Sequence, residues 1–401
     1  MSAVELDQQR HLADVLCDYR ERLYGAREDL DQRVDEHGVP VDAIAARMLE
    51  VETRMRDVEV ALRADCERRR GRRTPGRWLR EISAPRLVHL RQHAPRPLLV
   101  PSSYYVTDPP EPAPTISIVT PSLNQGGFLE RTLYSVINQN YPALEYVVQD
   151  GGSTDRSIEV LRRYARWLSY WTVEADEGQA DALNRGFAHT SGAIMAYLNS
   201  DDLLLPGSLA YVARYFAQHV DVDVVYGHRV IITGHDAQIG VHVLPAHDDK
   251  TLSLFDFVPQ ETLFWRRSAW ESAGGDFDAS LHFGLDWELL LRLRDSGAKM
   301  VRVPRFLGAF RVHDGQKTSK SLAQYYVEAS ALRARANGAA LSEDQAFIRA
   351  APYLRRHVAH HLWHRAKTRL PGSRRQVRTE PLEPWFQESH GVQMTRARTG
   401  A

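Results

Sequence analysis

Two kinds of hydrophobic periodicity divide the chain. Near the N-terminus, apolar side chains recur at alternating steps of four and three residues, in two stripes separated by the breaker HGVPVD at residues 37–42. Such heptad spacing around one turn predicts an antiparallel helical hairpin or a short coiled coil. The two stripes consist of Leu12, Leu16, Tyr19, Leu23, Ala26 and Leu30, and of Ile44, Met48, Val51, Met55, Val58 and Leu62.

A different pattern begins at Thr115 and continues to about Ser321. Short β-branched runs such as TISIVTPS and LEYVVQD alternate there with amphipathic stretches such as FLERTLYSVINQ. Repeated strand–helix units predict an α/β domain with a mainly parallel sheet and helices on both faces. A proline-rich linker, VTDPPEPAPT, precedes the pattern. We therefore predict a helical hairpin with a basic segment and linker at 1–105, the α/β domain at 106–321, and a helical extension with a basic tail at 322–401.

Polar side chains follow four successive predicted strands. These are Asn124, Asp150, the pair Asp176 and Glu177, and the segment 199–202. In a parallel sheet the carboxyl ends of the strands share one edge, and ligands bind along that edge. The sequence therefore predicts a ligand site there.

Two of these segments have a structural and a functional interpretation. In DGGSTD (150–155), the glycines make a tight turn and Ser153 is the expected N-cap of a helix, while Asp150 could accept a hydrogen bond from a nucleobase. The two interpretations are evenly balanced. In EADEGQADALNRGF (174–187), Asp181 and Arg185 are unusual at the start of an ordinary helix. They could line a polar cleft, with Asp181 on a sugar hydroxyl and Arg185 near phosphate.

The stretch AYLNSDDLLLP (196–206) places two carboxylates, Asp201 and Asp202, directly after a buried strand. They could be solvated acids before the helix expected near Pro206. Alternatively they could bind Mg²⁺ or Mn²⁺, which takes one or two carboxylates and completes its shell with substrate phosphates.

Two later segments add candidate chemistry. FGLDWELLLRLRDSG (283–297) predicts a helix with Asp286 and Glu288 in its first turn, where negative charge is favoured and where a carboxylate could act as a general base. FRVHDGQKTSK (310–320) ends a strand at His313 and continues to Lys317. That loop is either structural or able to close over a diphosphate.

The amino-acid composition limits the partners, the metal sites and the cellular location that we expect. Lys+Arg and Asp+Glu both number 51, so no global charge favours a nucleic-acid partner. With two cysteines, Cys17 and Cys66, neither a disulfide framework nor a cysteine zinc site is expected, which fits a reducing cytoplasm. We expect no secretory leader and no membrane span. The basic stretch ERRRGRRTPGRWLR (67–80) could contact anionic lipid at the inner face of the membrane.

The order of these motifs resembles the inverting family two glycosyltransferases, which have the GT-A fold. The resemblance covers roughly residues 115–320. It implies that Asp201 is a metal ligand for Mn²⁺ or Mg²⁺, that His313 approaches the metal or diphosphate, and that Asp286 is the catalytic base. It also implies a set of donor-binding residues. These are Pro121, Asn124, Asp150 and Ser153 around the base, Asp181 and Arg185 on the sugar or phosphates, Asn199 towards the ribose, and Asp202 in support.

Two positions depart from the family pattern. Asn199 stands where many members have the first acid of the D-x-D metal motif, and Leu285 stands where an acid precedes the catalytic aspartate. The Q-x-x-R-W signature of processive synthases is absent from the sequence. The resemblance therefore implies a non-processive transferase.

The predicted function is metal-dependent, inverting transfer of a sugar from a nucleotide-diphosphate donor to an acceptor hydroxyl, in cell-surface glycan or polysaccharide biosynthesis. UDP-sugars are the favoured donors, with GDP- or dTDP-sugars possible, and the acceptor is a glycan or a lipid-linked molecule. Glu288 and Lys317 are candidate acceptor-side residues. The N-terminal hairpin could mediate homo-oligomerisation. Two alternatives stay open: a catalytically weak or inactive GT-A domain that acts as an interaction or membrane-surface protein, and a sugar nucleotidyltransferase.

Overall fold

The computed structural model describes residues 90–105, 107–313, 315–316, 322–367 and 376–378. The strands are β1 (Leu99–Pro101), β2 (Ile116–Ser122), β3 (Leu144–Asp150), β4 (Tyr170–Val173), β5 (Ile194–Tyr197), β6 (Leu203–Leu204), β7 (Val224–Thr233), β8 (Gln238–His242), β9 (Phe264–Arg266), β10 (Met300–Val312) and β11 (Gln376–Arg378). The α-helices are α1 (Leu129–Ile137), α2 (Ser157–Tyr164), α3 (Gln179–Phe187), α4 (Ser208–Gln218), α5 (Asp249–Leu252), α6 (Arg267–Ser272), α7 (Leu285–Asp295), α8 (Leu322–Asn337) and α9 (Glu343–Lys367).

Nine of the described strands form one mixed sheet. Its order is β4–β3–β2–β5–β9–β7–β10–β6, with β8 paired to β7. The first four strands are parallel, as the strand–helix alternation predicts. Strand β9 then runs antiparallel between β5 and β7, and β6 runs antiparallel to β10. The chain moves outward from β2 to β3 and β4, and later continues on the other side of β2 with β5. At such a reversal of strand order the carboxyl ends leave a crevice that binds ligands.

Proline fits into strand β2 because of where strand β5 ends. The carbonyl of Val119 accepts a hydrogen bond from the N–H of Leu198 on the β5 side. Pro121, two residues further on, faces the same side, beyond the last β2–β5 pair at Val119 and Tyr197. The missing N–H of proline therefore costs no ladder bond. Strand β2 therefore places Pro121 at the crevice without the loss of a hydrogen bond between strands.

Helices cover both faces of the parallel half of the sheet. Helix α1 buries Leu129, Leu133 and Val136, which are spaced four and three residues apart and pack on one side of the sheet. Helix α3 buries Leu183 and Phe187 against the opposite side. The apolar spacing of each helix thus determines which face it turns to the sheet.

Gly186 lets α3 lie close to β2. A Cβ atom placed on Gly186 would meet Cγ1 of Val119 at 2.5 Å. We expect Gly186→Ala to lower the free energy of unfolding by about 1–3 kcal/mol, because overpacking costs more than the gain in helix propensity. Urea denaturation measures this change. The control is Gly127→Ala, where the added Cβ meets no atom within 4 Å. Equal stabilities of the two variants would contradict this account of the packing.

Residues before the predicted boundary at 106 also contact the sheet. The side-chain amide of Gln92 donates to the carbonyl of Val241 at 2.9 Å, and Arg96 forms a bridge with Gln238 of β8. Tyr104 is buried, and β1 pairs with β11. In the proline-rich segment, Pro114 accepts a hydrogen bond from Tyr141. Residues 90–105 therefore pack on the α/β domain.

The predicted helical extension after residue 321 is present as α8 and α9. The N-terminal hairpin, the basic segment 67–80, both cysteines and most of the basic tail lie outside the described residues. No helix in the described part of the chain combines the length and the apolar composition that crossing a bilayer requires.

Candidate active site

The loops after β2 and β3 are joined by hydrogen bonds. The N–H of Asn124 donates to the Ser153 hydroxyl at 2.7 Å, and the Asn124 side chain accepts from the N–H of Thr154 at 2.9 Å. Asn124 has a φ of 53°, a left-handed conformation that asparagine tolerates better than most residues. The local geometry thus holds the two loops together at the crevice.

Asp150 organises the turn after β3. Its Oδ1 accepts from the N–H of Ser153 at 2.7 Å and of Gly152 at 3.2 Å, and its Oδ2 accepts from the Ser153 hydroxyl at 2.8 Å. The expected helix cap at Ser153 is therefore wrong. Helix α2 begins at Ser157, whose N–H donates to Asp155 instead. Since a carboxylate offers about four acceptor positions, Asp150 keeps room for one more donor.

Asp181 and Arg185 form a pair on the first turns of α3. Nη2 of Arg185 lies 2.6 Å from Oδ2 of Asp181, and Nη1 of Arg185 donates to the carbonyl of Ala175 at 3.0 Å. Asp181 also accepts from the N–H of Glu177 at 3.0 Å. The pair thus holds the acidic loop that follows β4, while keeping part of its surface exposed.

Hydrogen bonds join three side-chain amides around Asn199, which stands at the first position of the D-x-D motif. Gln179 donates to Oδ1 of Asn199 at 2.7 Å, and Nδ2 of Asn199 donates to Gln260 at 3.1 Å. Gln260 in turn donates to the carbonyl of Tyr197 at 2.7 Å. These two hydrogen bonds fix the orientation of the Asn199 amide. They satisfy both its oxygen and its nitrogen without a metal.

Asp201 and His313 converge although 112 residues separate them. Oδ2 of Asp201 lies 3.0 Å from Nε2 of His313, and both side chains keep some exposure. The His313 ring packs against Phe128, with ring centroids 4.4 Å apart. The strand β10, adjacent to β6 in the sheet, carries His313 to this position.

Arg311 ties the loop of Asp201 and Asp202 to the sheet. Its backbone N–H donates to Oδ1 of Asp202 at 2.9 Å, and its Nε donates to the carbonyl of Asp201 at 2.6 Å. The guanidinium is fully buried, forms an ion pair with Asp236, and leaves Nη2 without a hydrogen-bond partner among the described residues. Burial, the adjacent Asp201 and then Glu261 raise the pKa of Asp202 well above its usual range.

The donor atoms at Asp201 and His313 suit a divalent cation with an open shell. One carboxylate and one imidazole converge there, and no group of three or more candidate ligands occurs in the described part of the chain. Mn²⁺ and Mg²⁺ are commonly held by few protein ligands, with water and substrate phosphates completing the shell. The residues present therefore fit a cation that binds together with a diphosphate.

Asp286 is the second residue of helix α7 and remains partly exposed. Its Oδ1 accepts from the N–H of Trp287 at 2.9 Å. Burial raises the pKa of Asp286 to about 6, although Arg229 nearby lowers it. Arg229 in β7 forms a buried two-point ion pair with Glu261, at 2.8 and 2.5 Å. A carboxylate with a pKa near 6 is ionised at neutral pH and retains more basicity than an ordinary aspartate.

The structure does not place the two acceptor-side candidates, Glu288 and Lys317, beside Asp286. Glu288 is buried in ion pairs with Arg292 at 2.8 Å and Arg335 at 2.7 Å. Two positions along a helix turn the side chain by about 200°, so Glu288 points away from the direction of Asp286. Lys317 lies outside the described residues.

Glu328 of the C-terminal extension fixes the start of α7. Its Oε2 accepts from the N–H of Phe283 at 2.8 Å and of Gly284 at 3.1 Å, and also lies 3.2 Å from the N–H of His282. Helix α7 has no side-chain cap of its own. A carboxylate from α8 therefore satisfies the N–H groups of the three residues that lead into α7, including that of its N-cap Gly284.

We expect Glu328→Gln to lower the free energy of unfolding by about 1–3 kcal/mol, since it replaces one acceptor oxygen by a donor facing buried N–H groups. Thermal or urea unfolding measures the change. Glu271→Gln, at an exposed position of α6, is the control. If Glu328→Gln unfolds like the control variant, the backbone amides of 282–284 do not depend on this carboxylate.

Sequence reasoning missed several of these residues. Arg311 lies two positions before His313 in FRVH, and the only sequence signal is an arginine inside an apolar strand. The other missed residues carry no local signal, because their partners are distant along the chain. They are Gln179, Arg229, Asp256, Gln260, Glu261 and Glu328.

A mixed α/β sheet with a crevice at its central reversal, and with an aspartate and a histidine that meet at the carboxyl edge, is the arrangement expected of a glycosyltransferase of the GT-A class. The family model "Glycosyl transferase family 2" matches residues 117–270. The chain belongs to this family, and the resemblance predicted from its motifs is confirmed.

Relatives with assigned names agree with this membership. An uncharacterized glycosyltransferase of Mycobacterium tuberculosis is 32% identical over 186 residues, which cover 45% of this chain and 69% of the relative. A PGL/p-HBAD biosynthesis glycosyltransferase of Mycobacterium bovis is 29% identical over 194 residues, which cover 47% of this chain and 73% of the relative. The enzyme class, glycosyltransferase, is thereby established.

Solved structures with a similar arrangement were also found. Staphylococcus aureus TarS 1–349 in complex with UDP-GlcNAc is 16% identical, with a TM-score of 0.47 over 65% of this chain and 77% of that one. A mannosyltransferase from Pyrobaculum calidifontis in complex with GDP-Man and Mn²⁺ is 20% identical, with a TM-score of 0.45 over 71% of this chain and 82% of that one.

Proposed function

We propose that this glycosyltransferase is metal-dependent and inverting, and that it transfers a sugar from a nucleotide-diphosphate donor to an acceptor hydroxyl. The observation that carries the proposal is the contact between Oδ2 of Asp201 and Nε2 of His313, 3.0 Å apart at the carboxyl edge of the sheet. An aspartate and a histidine that meet there can share a cation with a diphosphate.

The donor's nucleoside would lie against the loops after β2 and β3. Pro121 and Asn124 would flank the base, and Asp150 would use its remaining acceptor position for a base N–H. Ser153 keeps that carboxylate oriented through its hydroxyl. Asn199 would contact the ribose from its fixed amide. UDP is the favoured nucleotide, with GDP and dTDP as alternatives.

The sugar and the diphosphate would lie between α3 and the end of β10. Asp181 would bind a sugar hydroxyl and Arg185 a phosphate, both by exchanging part of their mutual ion pair. Asp202 supports the site indirectly by accepting the N–H of Arg311.

Mn²⁺ or Mg²⁺ would be held by Asp201 and His313. When bound, the cation supplies positive charge that stabilises the departing diphosphate. The protein's own contribution is to orient the two ligands. The side-chain Nε of Arg311, which donates to the carbonyl of Asp201, holds the Asp201 loop, and the Phe128 ring packs against the His313 imidazole.

Asp286 would act as the general base of a single displacement. Its carboxylate takes the proton of the acceptor hydroxyl while that oxygen forms a bond to the anomeric carbon. The bond from this carbon to the diphosphate breaks on the opposite face, and the electron pair leaves with the diphosphate. Because only one displacement occurs, the anomeric configuration is inverted.

A relative that is named for PGL/p-HBAD biosynthesis supports a glycolipid acceptor for this chain. Cell-surface polysaccharide remains the alternative product. The oligomeric and membrane contacts predicted for the N-terminal segments, and the cytoplasmic location, stay predictions.

Titration calorimetry with UDP, GDP and dTDP in the presence and absence of MnCl₂ tests the donor assignment. We expect one nucleotide to bind with metal and to bind at least tenfold more weakly without it, because the diphosphate completes the metal's coordination. Absence of metal-dependent binding by all three nucleotides would contradict the proposal.

A further inference from the structure

Asp256 is a second carboxyl group beside Asp286. It lies between α5 and the 3₁₀ turn at Gln260–Thr262. Its Oδ1 is buried and has no hydrogen-bond partner among the described residues. An orphaned carboxyl oxygen in the interior costs free energy, so a ligand that forms a hydrogen bond with it would remove that cost.

Several charged and titratable groups from different elements surround this pair. The charge of Asp286 in α7 acts on Asp256, and Arg229 of β7 acts on both carboxyls. Glu261 of the 3₁₀ turn acts on Asp286. The charges of both aspartates also raise the pKa of Tyr197 at the end of β5 and of Tyr325 in α8, after burial. Because Arg229 is already paired with Glu261, it does not neutralise both of the other carboxyls.

The segment that carries Asp256 is held rigidly by the C-terminal helices and by α7. Nε1 of Trp287 donates to the carbonyl of Leu252 at 2.7 Å, and Nδ2 of Asn337 donates to the carbonyl of Ser253 at 2.7 Å. Arg333 donates to the carbonyl of Leu254 at 2.8 Å. Trp287 directly follows Asp286 and also bonds to the segment that precedes Asp256. It therefore links the backbone positions of the two carboxyls.

The phenylalanines on each side of Asp256 also hold its backbone in place. Phe255 packs on Phe347, with ring centroids 4.8 Å apart, and Phe257 packs on Tyr353 at the same separation. Both contacts are made with α9. With its two neighbours anchored in the extension, the backbone at Asp256 is held in place.

We propose that Asp256 is an acceptor-binding residue, whose orphaned carboxyl group donates a hydrogen bond to the acceptor hydroxyl oxygen while Asp286 takes the hydroxyl proton. The inference rests on the proposed function. It gives the two carboxyls different roles: Asp256 stays protonated and Asp286 is ionised. Burial and the neighbouring Asp286 raise the pKa of Asp256 well above its usual range, which favours this division.

Atoms balance in this arrangement. The acceptor proton moves to Asp286, the new carbon–oxygen bond forms at the anomeric carbon, and the diphosphate leaves with its electron pair. Asp256 keeps its own proton throughout. Since the site around the acceptor carries one uncompensated negative charge, it favours a neutral hydroxyl acceptor, such as a sugar, over a phosphorylated one.

The test uses hydrolysis of the nucleotide sugar, with water as the acceptor, measured in the full chain with Mg²⁺ between pH 5 and 9. We expect Asp256→Ala to lower kcat at least tenfold with an unchanged KM for the donor. Asp256→Asn retains a hydrogen-bond donor, so it should stay within about threefold of wild type. Asp249→Ala, at a position 64% exposed in the preceding helix, is the matched control.

The pH profile separates binding of the acceptor from a merely structural role. Because the proposed role needs the proton of Asp256, a fall in the wild-type rate at alkaline pH should be absent from Asp256→Asn, whose amide cannot ionise. Both enzymes should keep the acid limb near pH 6 that Asp286 determines.

Two outcomes are distinguishable. If wild type hydrolyses a donor and Asp256→Ala does so equally fast, or Asp256→Asn keeps the alkaline fall, this inference is overturned and the proposed function stands. If wild type neither binds nor hydrolyses any nucleotide sugar, the proposed function itself is wrong, and this inference is wrong with it.

Discussion

Replacing Asp286 by asparagine is expected to reduce glycosyl transfer about 10²–10⁴-fold while leaving donor affinity unchanged, because a general base contributes that much and does not bind the nucleotide. The measurement is nucleotide release with donor and metal, combined with calorimetric binding of the nucleotide. In wild type, kcat/KM should rise with pH through about 6 and then level off. The sign follows from the role, since only the ionised carboxylate accepts the proton.

Glu288→Gln is the control for that variant, because Glu288 is the other carboxylate in the first turn of α7. Its ion pairs with Arg292 and Arg335 make it a stabilising residue. We expect Glu288→Gln to lower stability and to keep the acid limb near pH 6. A normal rate in Asp286→Asn, or loss of the acid limb in Glu288→Gln instead, would remove the assignment of Asp286 as the base.

Replacing Asp201 by alanine is expected to reduce metal-dependent turnover of the donor by about 10²-fold or more, since the charge on the leaving diphosphate would lose its counter-charge. Binding of the nucleotide should also lose its dependence on Mn²⁺, because His313 alone holds a cation weakly. A Mn²⁺ titration of nucleotide release measures both effects.

Asp221→Ala provides the comparison for Asp201→Ala. Asp221 is an exposed aspartate that pairs with Lys299 at the surface. It should behave like wild type in the same titration. If Asp201→Ala responds to Mn²⁺ with the wild-type midpoint, Asp201 is not a metal ligand, and the contact with His313 is only a hydrogen bond.

Local periodicity was sufficient to predict the parallel half of the fold and the edge where the site lies. Strands β2 and β3 and helices α1 and α3 follow from alternating apolar runs, and parallel strands necessarily gather their carboxyl ends. By that rule the sequence predicts Asn124, Asp150 and Asp201 at the same edge. The first turn of α7 with its two carboxylates was predicted as well.

The antiparallel half could not be predicted in the same way. Strand β9 has only three residues and separates β5 from β7, and β6 has two residues that pair with β10 about 100 positions later. Such short strands have no measurable period. Their pairing is decided by which edges remain open after the parallel half has formed, and this depends on the whole chain.

The functional residues that the sequence did not reveal also depend on contacts between distant parts of the chain. Glu328 stabilises α7 from α8, and Arg311 holds the loop of Asp202 from the end of β10. Asp256 is notable only because its carboxyl oxygen lacks a partner after folding. Neither spacing nor residue type distinguishes these residues from ordinary surface charges, since their roles arise from tertiary contacts.

Donor turnover by the wild-type chain tests the central claim most directly. The protein would be incubated with UDP-, GDP- and dTDP-sugars in Mn²⁺ and in EDTA, and released nucleoside diphosphate would be quantified. The account predicts release from at least one of these donors in Mn²⁺, loss of that release in EDTA, and its recovery when excess Mn²⁺ is restored. Release that is equally fast in EDTA, or no release from any donor, would contradict it.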